Sequence, residues 1–312
     1  MITGSAPGKM ILMGEHAVVY GRLALAFPVP QVAAMVDLGL LADGETGEML
    51  VEAPQIERIH WLSDMPDGDP LALAVRLGLR EIGLESFPGT RLVIRSTIPI
   101  AGGLGSGAAV SVAILRALCA FFGGEISPAR QSEIAFEVDK IHHGTPSGID
   151  NTVIAYEEPI AYRKGEPPVR LRVGAPLTLL VADTGIPSPT ATAVGQVRRM
   201  WQADPASLEA EFDNIGMIVS AARQTIERGE IDPLGTLIDL NQNALEGLGV
   251  SNAAIDRLVE AARNAGARGA KLSGAGLGGN VLALVDPEMA EEVARAILRA
   301  GAVACLRTEV PA

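Results

Sequence analysis

Aromatic residues are scarce: Phe, Trp and Tyr together make up 4% of the 312 residues. Few rings are available to stack on bases, which argues against a single-strand nucleic-acid binder. Lysine is rare, arginine dominates the basic residues without forming a block, and the formal net charge is −12. A nucleic-acid partner is therefore not expected, and any phosphate recognition has to be local. The two cysteines, Cys119 and Cys305, are too few and too isolated for a disulfide framework or a zinc site. Cys119 reads as a small hydrophobe inside an apolar helix. No apolar run reaches membrane-spanning length, and the opening MITGSAPGK has no apolar signal core. The expectation is a reduced, cytoplasmic protein with no membrane partner. The chain also lacks G-x-x-x-x-G-K-[ST], the P-loop, and shows no fixed-period repeat or low-complexity segment.

What is present starts with size: 48% hydrophobic and 20% charged residues over this length support two domains with a sizeable core. The most informative stretch is PIAGGLGSGAAVSVAILRALCAFF, residues 99 to 122. Glycines at 102, 103, 105 and 107 run directly into an apolar, alanine-rich segment, which predicts a loop feeding a buried helix. Before it, Arg91 to Ser96 alternates as a strand. Strand, glycine loop and helix form an anion cradle, because glycine lets backbone N–H groups approach a phosphate and the helix N-terminus adds unpaired donors. We read it as a triphosphate site. Two alternatives stay open on residues alone. The glycines could serve only a tight turn and close packing. Gly103, Gly105 and Ala108 also satisfy the dinucleotide pattern G-x-G-x-x-G/A, although not within an opening βαβ unit.

Around this stretch, Pro7-Gly8-Lys9 precedes a short apolar strand, Met10 to Met13. Gly14, Glu15 and His16 form a turn before a strand-like run, Ala17 to Tyr20. The apolar flanks of Lys9 suggest a head group directed into a cleft. Leu23 to Leu41 reads as strands across a bend at Pro28 and Pro30, Asp43 to Glu48 as a turn, and Pro70 to Ile82 as a helix. Ser127-Pro128 starts a helix to about Ile141 that carries Glu133, Glu137, Asp139 and Lys140. The adjacent His142 and His143 are a poor chelating pair. Thr145 to Gly148 reads as a tight turn delivering Asp150 to a strand, Thr152 to Tyr156. A strand at Leu177 to Ala182 places the domain boundary near 175 to 185, giving domains of residues 1–178 and 179–312. Helices follow across 206–265 with breaks at Gly229 and Gly247 to Gly249. In KLSGAGLGGNV, residues 271 to 281, the glycines again fit G-x-G-x-x-G, but a strand follows, Asn280 to Val285, which rejects the dinucleotide reading there. A helix at Pro287 to Arg299 and a strand at Val303 to Val310 end the chain.

Three motifs now stand in order: APGKMILMGEHAVVYG at 6–21, PIAGGLGSGAAVS at 99–111 and KLSGAGLGGNV at 271–281. Together they resemble the superfamily of galactose, homoserine, mevalonate and phosphomevalonate kinases, the GHMP kinases. The segments Gly14 to Gly21 and His143 to Asn151 look most like the mevalonate kinase branch, and Asp183-Thr184-Gly185 with Thr190 suits it. The resemblance covers nearly the whole chain. It implies a two-domain α+β fold, the GHMP kinase fold, with an N-terminal ATP-binding domain like ribosomal protein S5 domain 2 and a ferredoxin-like C-terminal domain.

The resemblance also implies roles. ATP would lie on Gly102, Gly103, Leu104, Gly105, Ser106 and Gly107. Asp150, Lys9 and Thr190 would be the catalytic set, Glu15, His16, Gly274 and Ala275 would line the substrate pocket, and Asp139 with Ser106 would hold Mg²⁺. Whether Asp150 acts as base or mainly orients, with Lys9 and the γ-phosphate activating the hydroxyl, stays open. The implied activity is phosphorylation of the primary hydroxyl of mevalonate, with a homodimer as a family-level expectation. The chain departs from the family at two positions. The loop usually reads GLGSSAA, and the second Ser is here Gly107. The metal-binding Glu eleven residues before the catalytic Asp is here Asp139. Both changes concern the metal. They keep two alternatives in view: another small-molecule kinase of the family, acting on homoserine or phosphomevalonate, or a nucleotide-binding homologue that has lost catalysis.

Overall fold

The computed structural model describes residues 1–312 apart from 43–46, 100–101, 144–145 and 189, and at 142–143 the backbone alone. The turn read at 43–48, the His142–His143 side chains and the turn at 145–148 thus fall wholly or partly outside the described residues. The chain divides into two compact units, each discontinuous in sequence. One comprises Met1–Lys9, Pro28–Pro99 and Gly105–Glu157; the other comprises Met10–Phe27, Ile100–Leu104 and Glu158–Ala312.

Strands β1 (Ile2–Met13) and β2 (Ala24–Leu40) each contribute residues to both units. The bend expected at Pro28 and Pro30 does not end β2. Its pairing with Thr90–Ser96 uses Ala34 to Leu40 and its pairing with Ile160–Tyr162 uses Ala24 to Ala26, so neither proline is asked for a ladder hydrogen bond in these pairings.

The first unit continues with β3 (Met49–Ala53), β4 (Arg58–Trp61), α1 (Pro70–Glu81), β5 (Thr90–Ser96), α2 (Ser106–Phe122), α3 (Pro128–His143) and α4 (Ile149–Tyr156). The sheet order is β4-β3-β5-β2, with β3 and β5 parallel and the other pairings antiparallel. Helix α1 starts where its cap dictates, because the Asp69 carboxylate accepts from Leu71 N and Ala72 N, and Pro70 needs no donor at the first helical position. Helix α2 is buried along most of its length, from Ala108 to Leu118. Strand β1 runs directly against it: a Cβ on Gly4 would lie 2.3 Å from the Ala117 nitrogen.

Residues 152–156 are helical, where the sequence reading expected a strand. Helix α4 packs against α2 and α3 and buries Ile149, Val153, Ile154 and Ala155. A run buried on every side has no amphipathic period, and short apolar runs do not distinguish helix from strand. Two polar side chains secure the helix: the Thr152 hydroxyl donates to Gly148 O at 2.6 Å, and Asn151 Nδ2 donates to Ser132 O and Oγ. Asp150 consequently sits in the first turn of a helix.

The second unit adds β6 (Ile160–Tyr162), β7 (Val169–Arg170), β8 (Leu177–Asp183), α5 (Thr190–Ala203), α6 (Pro205–Arg228), α7 (Ile231–Gly247), α8 (Ala253–Asn264), β9 (Gly269–Ser273), β10 (Asn280–Val285), α9 (Ala290–Arg299) and β11 (Ala304–Val310). Its four-stranded sheet has the order β11-β8-β10-β9 and is antiparallel throughout. Read in chain order this is a split β-α-β-β-α-β arrangement, the ferredoxin-like layout, with four helices in the first crossover and one in the second. Nearly every residue of β8, β9 and β10 is buried, so both faces of those strands are covered.

The run Ala17–Tyr20, read as strand-like, is a single 3-10 turn closed by Gly21 in the left-handed region. Valine favours strands only where a pleated neighbour is available. Here Ala17 and Val18 are buried and Tyr20 stacks on Phe212 of α6 with ring centroids 4.2 Å apart. Among the described residues no helix is long and apolar enough to cross a membrane.

Candidate active site

The first unit gathers Lys9, Asp150, Asp139, Gly105 and Gly107. Lys9 Nζ lies 2.9 Å from Asp150 Oδ1; the lysine side chain is 3% exposed and the aspartate 35%. An ammonium group this deeply withdrawn from water needs a counter-charge, and Asp150 supplies it while one side of its carboxylate stays open. Gly105 makes the approach possible. It caps α2 with φ of +75°, and a Cβ there would lie 2.9 Å from Lys9 Cγ and 2.8 Å from Ile154 Cδ1. The glycine thus serves a left-handed cap and the passage of the lysine stem. From this cap α2 begins at Ser106, a half-buried residue, and its first N–H groups have no intrahelical acceptor.

Asp139 is 7% exposed and has no hydrogen-bond partner among the described residues. Burial and the neighbouring Asp150 push its carboxyl up to about 7, while Lys9 opposes the shift. A Cβ on Gly107 would stand 3.5 Å from Asp139 Oδ1. Among the described residues no cluster of three or more His, Cys, Asp or Glu side chains could hold a metal ion. A buried carboxylate without a hydrogen-bond donor fits a divalent cation whose other ligands are phosphate oxygens and water, the usual situation of Mg²⁺.

The second unit holds the other motif residues. Glu15 and Lys271 form an ion pair with exposures of 1% and 0%. His16 has φ of +59°, and its Nε2 lies 2.9 Å from Ala275 O. A carbonyl only accepts, so Nε2 carries the proton and Nδ1 remains the acceptor of a neutral ring. Gly102 O accepts a hydrogen bond from Asn280 Nδ2, and a Cβ on Gly274 would lie 4.0 Å from Gly103 O. Leu104 is buried at the last position of the loop in this unit. Thr190 opens α5 with an exposed side chain, and Ser188 just before it donates to Gly276 O at 2.6 Å. Lys271, Asn280 and Asn151 are structural participants to which the sequence reading gave no role. Only Lys271 left a usable signal: it is one of four lysines and stands in an apolar strand. A separate cleft of about 390 Å³ contains none of the motif residues, and its Arg223 and Glu227 pair with each other at 2.8 Å.

Burial lowers the His16 pKa to about 4; the bond to Ala275 opposes the shift and the charge of Lys271 adds to it. The folded value is depressed below the unfolded value of about 6.5, so the unfolded chain binds the proton first as pH falls. The stability that the neutral ring contributes is complete above about pH 6.5 and is lost between there and about pH 4. We predict that the unfolding free energies of the parent and of His16→Gln diverge less at pH 4.5 than at pH 7, by about 2 kcal/mol. A gap that does not change with pH, measured by urea titration, would show the ring to be ordinarily hydrated.

Comparison with known proteins follows the same division of labour. Residues 71–158 match the model of the GHMP kinases N terminal domain and residues 222–303 that of the GHMP kinases C terminal domain. The mevalonate kinase of Thermococcus sibiricus is 34% identical over 325 aligned positions, covering 96% of this chain and 93% of that protein. The structure of L. major mevalonate kinase in complex with R-mevalonate superposes with a TM-score of 0.82 at 27% identity, covering 100% of this chain and 96% of the other. Streptococcus pneumoniae phosphomevalonate kinase has a TM-score of 0.84 at 18% identity, covering 99% and 100%, which is a likeness of fold alone. The motif order, the two folds and these relatives agree that the chain belongs to the GHMP kinases, in the mevalonate kinase family.

Proposed function

We propose that the protein transfers the γ-phosphoryl group of ATP to the primary hydroxyl of mevalonate. The observation that carries this reading is the Lys9–Asp150 pair, set beside the buried Asp139 and the first residues of α2. Phosphoryl transfer asks the protein for little covalent chemistry, so positioning and charge neutralisation carry most of the catalysis. Asp150, open on one side, accepts the proton of the attacking hydroxyl. Lys9 orients that carboxylate at 2.9 Å and offsets charge that develops during transfer. Backbone N–H groups from Gly102 to Gly107 receive the phosphates, His16, Gly274 and Ala275 form the acceptor side, with the buried Glu15 acting through the His16 turn, and Thr190 completes the catalytic set. Asp139, with Ser106, is the residue that would hold Mg²⁺, which supplies neutralisation of the phosphate charge when bound. We also carry forward domains of 1–178 and 179–312 and a cytoplasmic location, with a homodimer as a family-level expectation.

The deciding experiment is ADP release from Mg-ATP with mevalonate, homoserine and phosphomevalonate in parallel. Turnover with mevalonate alone is expected. Turnover with one of the others instead would keep the fold and overturn the substrate; ATP binding without turnover on any of them would identify a homologue that has lost catalysis.

Two variants test the assigned roles. Asp150→Asn is expected to lower kcat by roughly 10²- to 10⁴-fold, the usual range for a positioned base, with little change in ATP affinity. A kcat within a few-fold of the parent would remove Asp150 from that role. Gly107→Ser is expected to be neutral or activating and to lower the Mg²⁺ concentration for half-maximal rate. Its Cβ would meet Asp139 Oδ1 at an ordinary 3.5 Å, so the backbone has no steric need for glycine there. A severe loss of activity would show that the loop depends on glycine at this position.

A further inference from the structure

Strand β9 and the turn after it are tied to the segment 11–16 by alternate residues. Lys271 Nζ donates to the Glu15 carboxylate, Ser273 Oγ donates to Ile11 O at 2.8 Å, and Ala275 O accepts from His16 Nε2 at 2.9 Å. Between these ties sits a turn that the backbone does not favour. Gly14 has φ of +98° and His16, a residue with a side chain, has φ of +59° with ψ of −52°. Such a conformation persists only where the surroundings over-determine it, and it is found chiefly where a side chain must be aimed.

The tie made by Lys271 differs in kind from the others. Lys271 is entirely buried, and burial lowers its pKa while Glu15 holds it up. Its ammonium also donates to Leu272 O. Glu15 is 1% exposed, and its second oxygen, Oε2, has no hydrogen-bond partner. The carboxylate is therefore anchored through Lys271, whereas the one amide-to-side-chain bond of the neighbouring Gly14, from its N to Asn241 Oδ1, spans 3.4 Å. Buried this deeply, Glu15 does not serve as a solvent-facing group, and an apolar pair of similar volume would fill the same space without an ionic desolvation cost. The charge pair instead contributes a directional contact, placed one residue before His16.

We infer that Lys271 is a positioning residue for the acceptor alcohol: it holds Glu15, and through Glu15 the Gly14–His16 turn, so that the His16 imidazole is presented in its strained conformation. The inference rests on the proposed reading in which His16 lines the acceptor pocket. Its reach is confined to the acceptor, since the residues assigned to the triphosphate and to proton transfer take no part in these ties.

The test is steady-state kinetics of the full chain with mevalonate and Mg-ATP, together with thermal melting, for Lys271→Met, the double variant Glu15→Gln/Lys271→Met, and His16→Gln. Lys271→Met leaves Glu15 buried without its cation and is the variant most at risk of not folding; the double variant is neutral at both positions and decides the matter in that event. Displacing a positioning contact costs up to about 10²-fold, so the double variant is expected to raise the KM for mevalonate roughly tenfold or more, with the KM for ATP nearly unchanged. His16→Gln is expected to show the same acceptor-selective rise. A lower melting temperature and a smaller active fraction with both KM values unchanged would assign the pair a merely structural role and overturn the inference. If His16→Gln raises the acceptor KM and the double variant does not, the pocket reading stands and the inference falls. If His16→Gln leaves the acceptor KM unchanged, the pocket reading itself has failed and takes the inference with it.

Discussion

An ammonium group removed from water is costly unless a carboxylate travels with it. This chain has four lysines and buries two of them, Lys9 at 3% exposure and Lys271 at 0%. Each has one carboxylate partner, Asp150 for Lys9 and Glu15 for Lys271. Lysine is among the residues least often buried, so two such pairs in a lysine-poor chain mark places where charge is needed more than stability. The pairs differ in the way their tasks require. Asp150 keeps a third of its side-chain surface open. Glu15 is closed off, so that pair orients the backbone around it.

The glycines follow from these side chains. The stem of Lys9 passes where the Cβ of residue 105 would otherwise stand, and the same residue takes the left-handed conformation that caps α2. The cap of α2 and the path of the Lys9 side chain therefore share one steric condition. Any side chain at 105 would disturb both the helix start and the ammonium position. The reading of 99–122 as a phosphate loop, made from strand, glycines and helix alone, thus acquires a second reason for one of its glycines, which residue spacing cannot display because Lys9 is ninety-six positions away.

Much of the architecture was legible in the sequence. The strands 90–96, 177–183, 280–285 and 304–310 and the capped helices α1 and α3 carry their signals locally, in alternation, in Asp69-Pro70 and in Ser127-Pro128. Two misread segments, 17–20 and 152–156, are apolar runs whose conformation is decided by what covers them. The first is tucked under α6 through the stacking of Tyr20 on Phe212, and the second is enclosed by α2 and α3. In the candidate site, Lys9 and Asp150 were legible through the resemblance of their motifs. Lys271 offered only its rarity as a signal, and its role emerges once its partner, more than two hundred residues earlier in the chain, has been brought to it.

The two departures from the family pattern, Gly107 and Asp139, concern one place, since the position of a Cβ on 107 abuts Asp139 Oδ1. Shortening Glu to Asp withdraws the carboxylate by one methylene, and removing a serine side chain vacates the space in front of it. Under the proposed reading, in which this place holds the cation, the two changes act in the same direction: both lengthen its distance to protein oxygens. A cation there would keep more of its water, which suits Mg²⁺ because it sheds water reluctantly and commonly binds through one carboxylate plus phosphate. Burial and the neighbouring Asp150 hold the Asp139 carboxyl up at about 7. Only Lys9 opposes the effects of burial and Asp150 on this carboxyl.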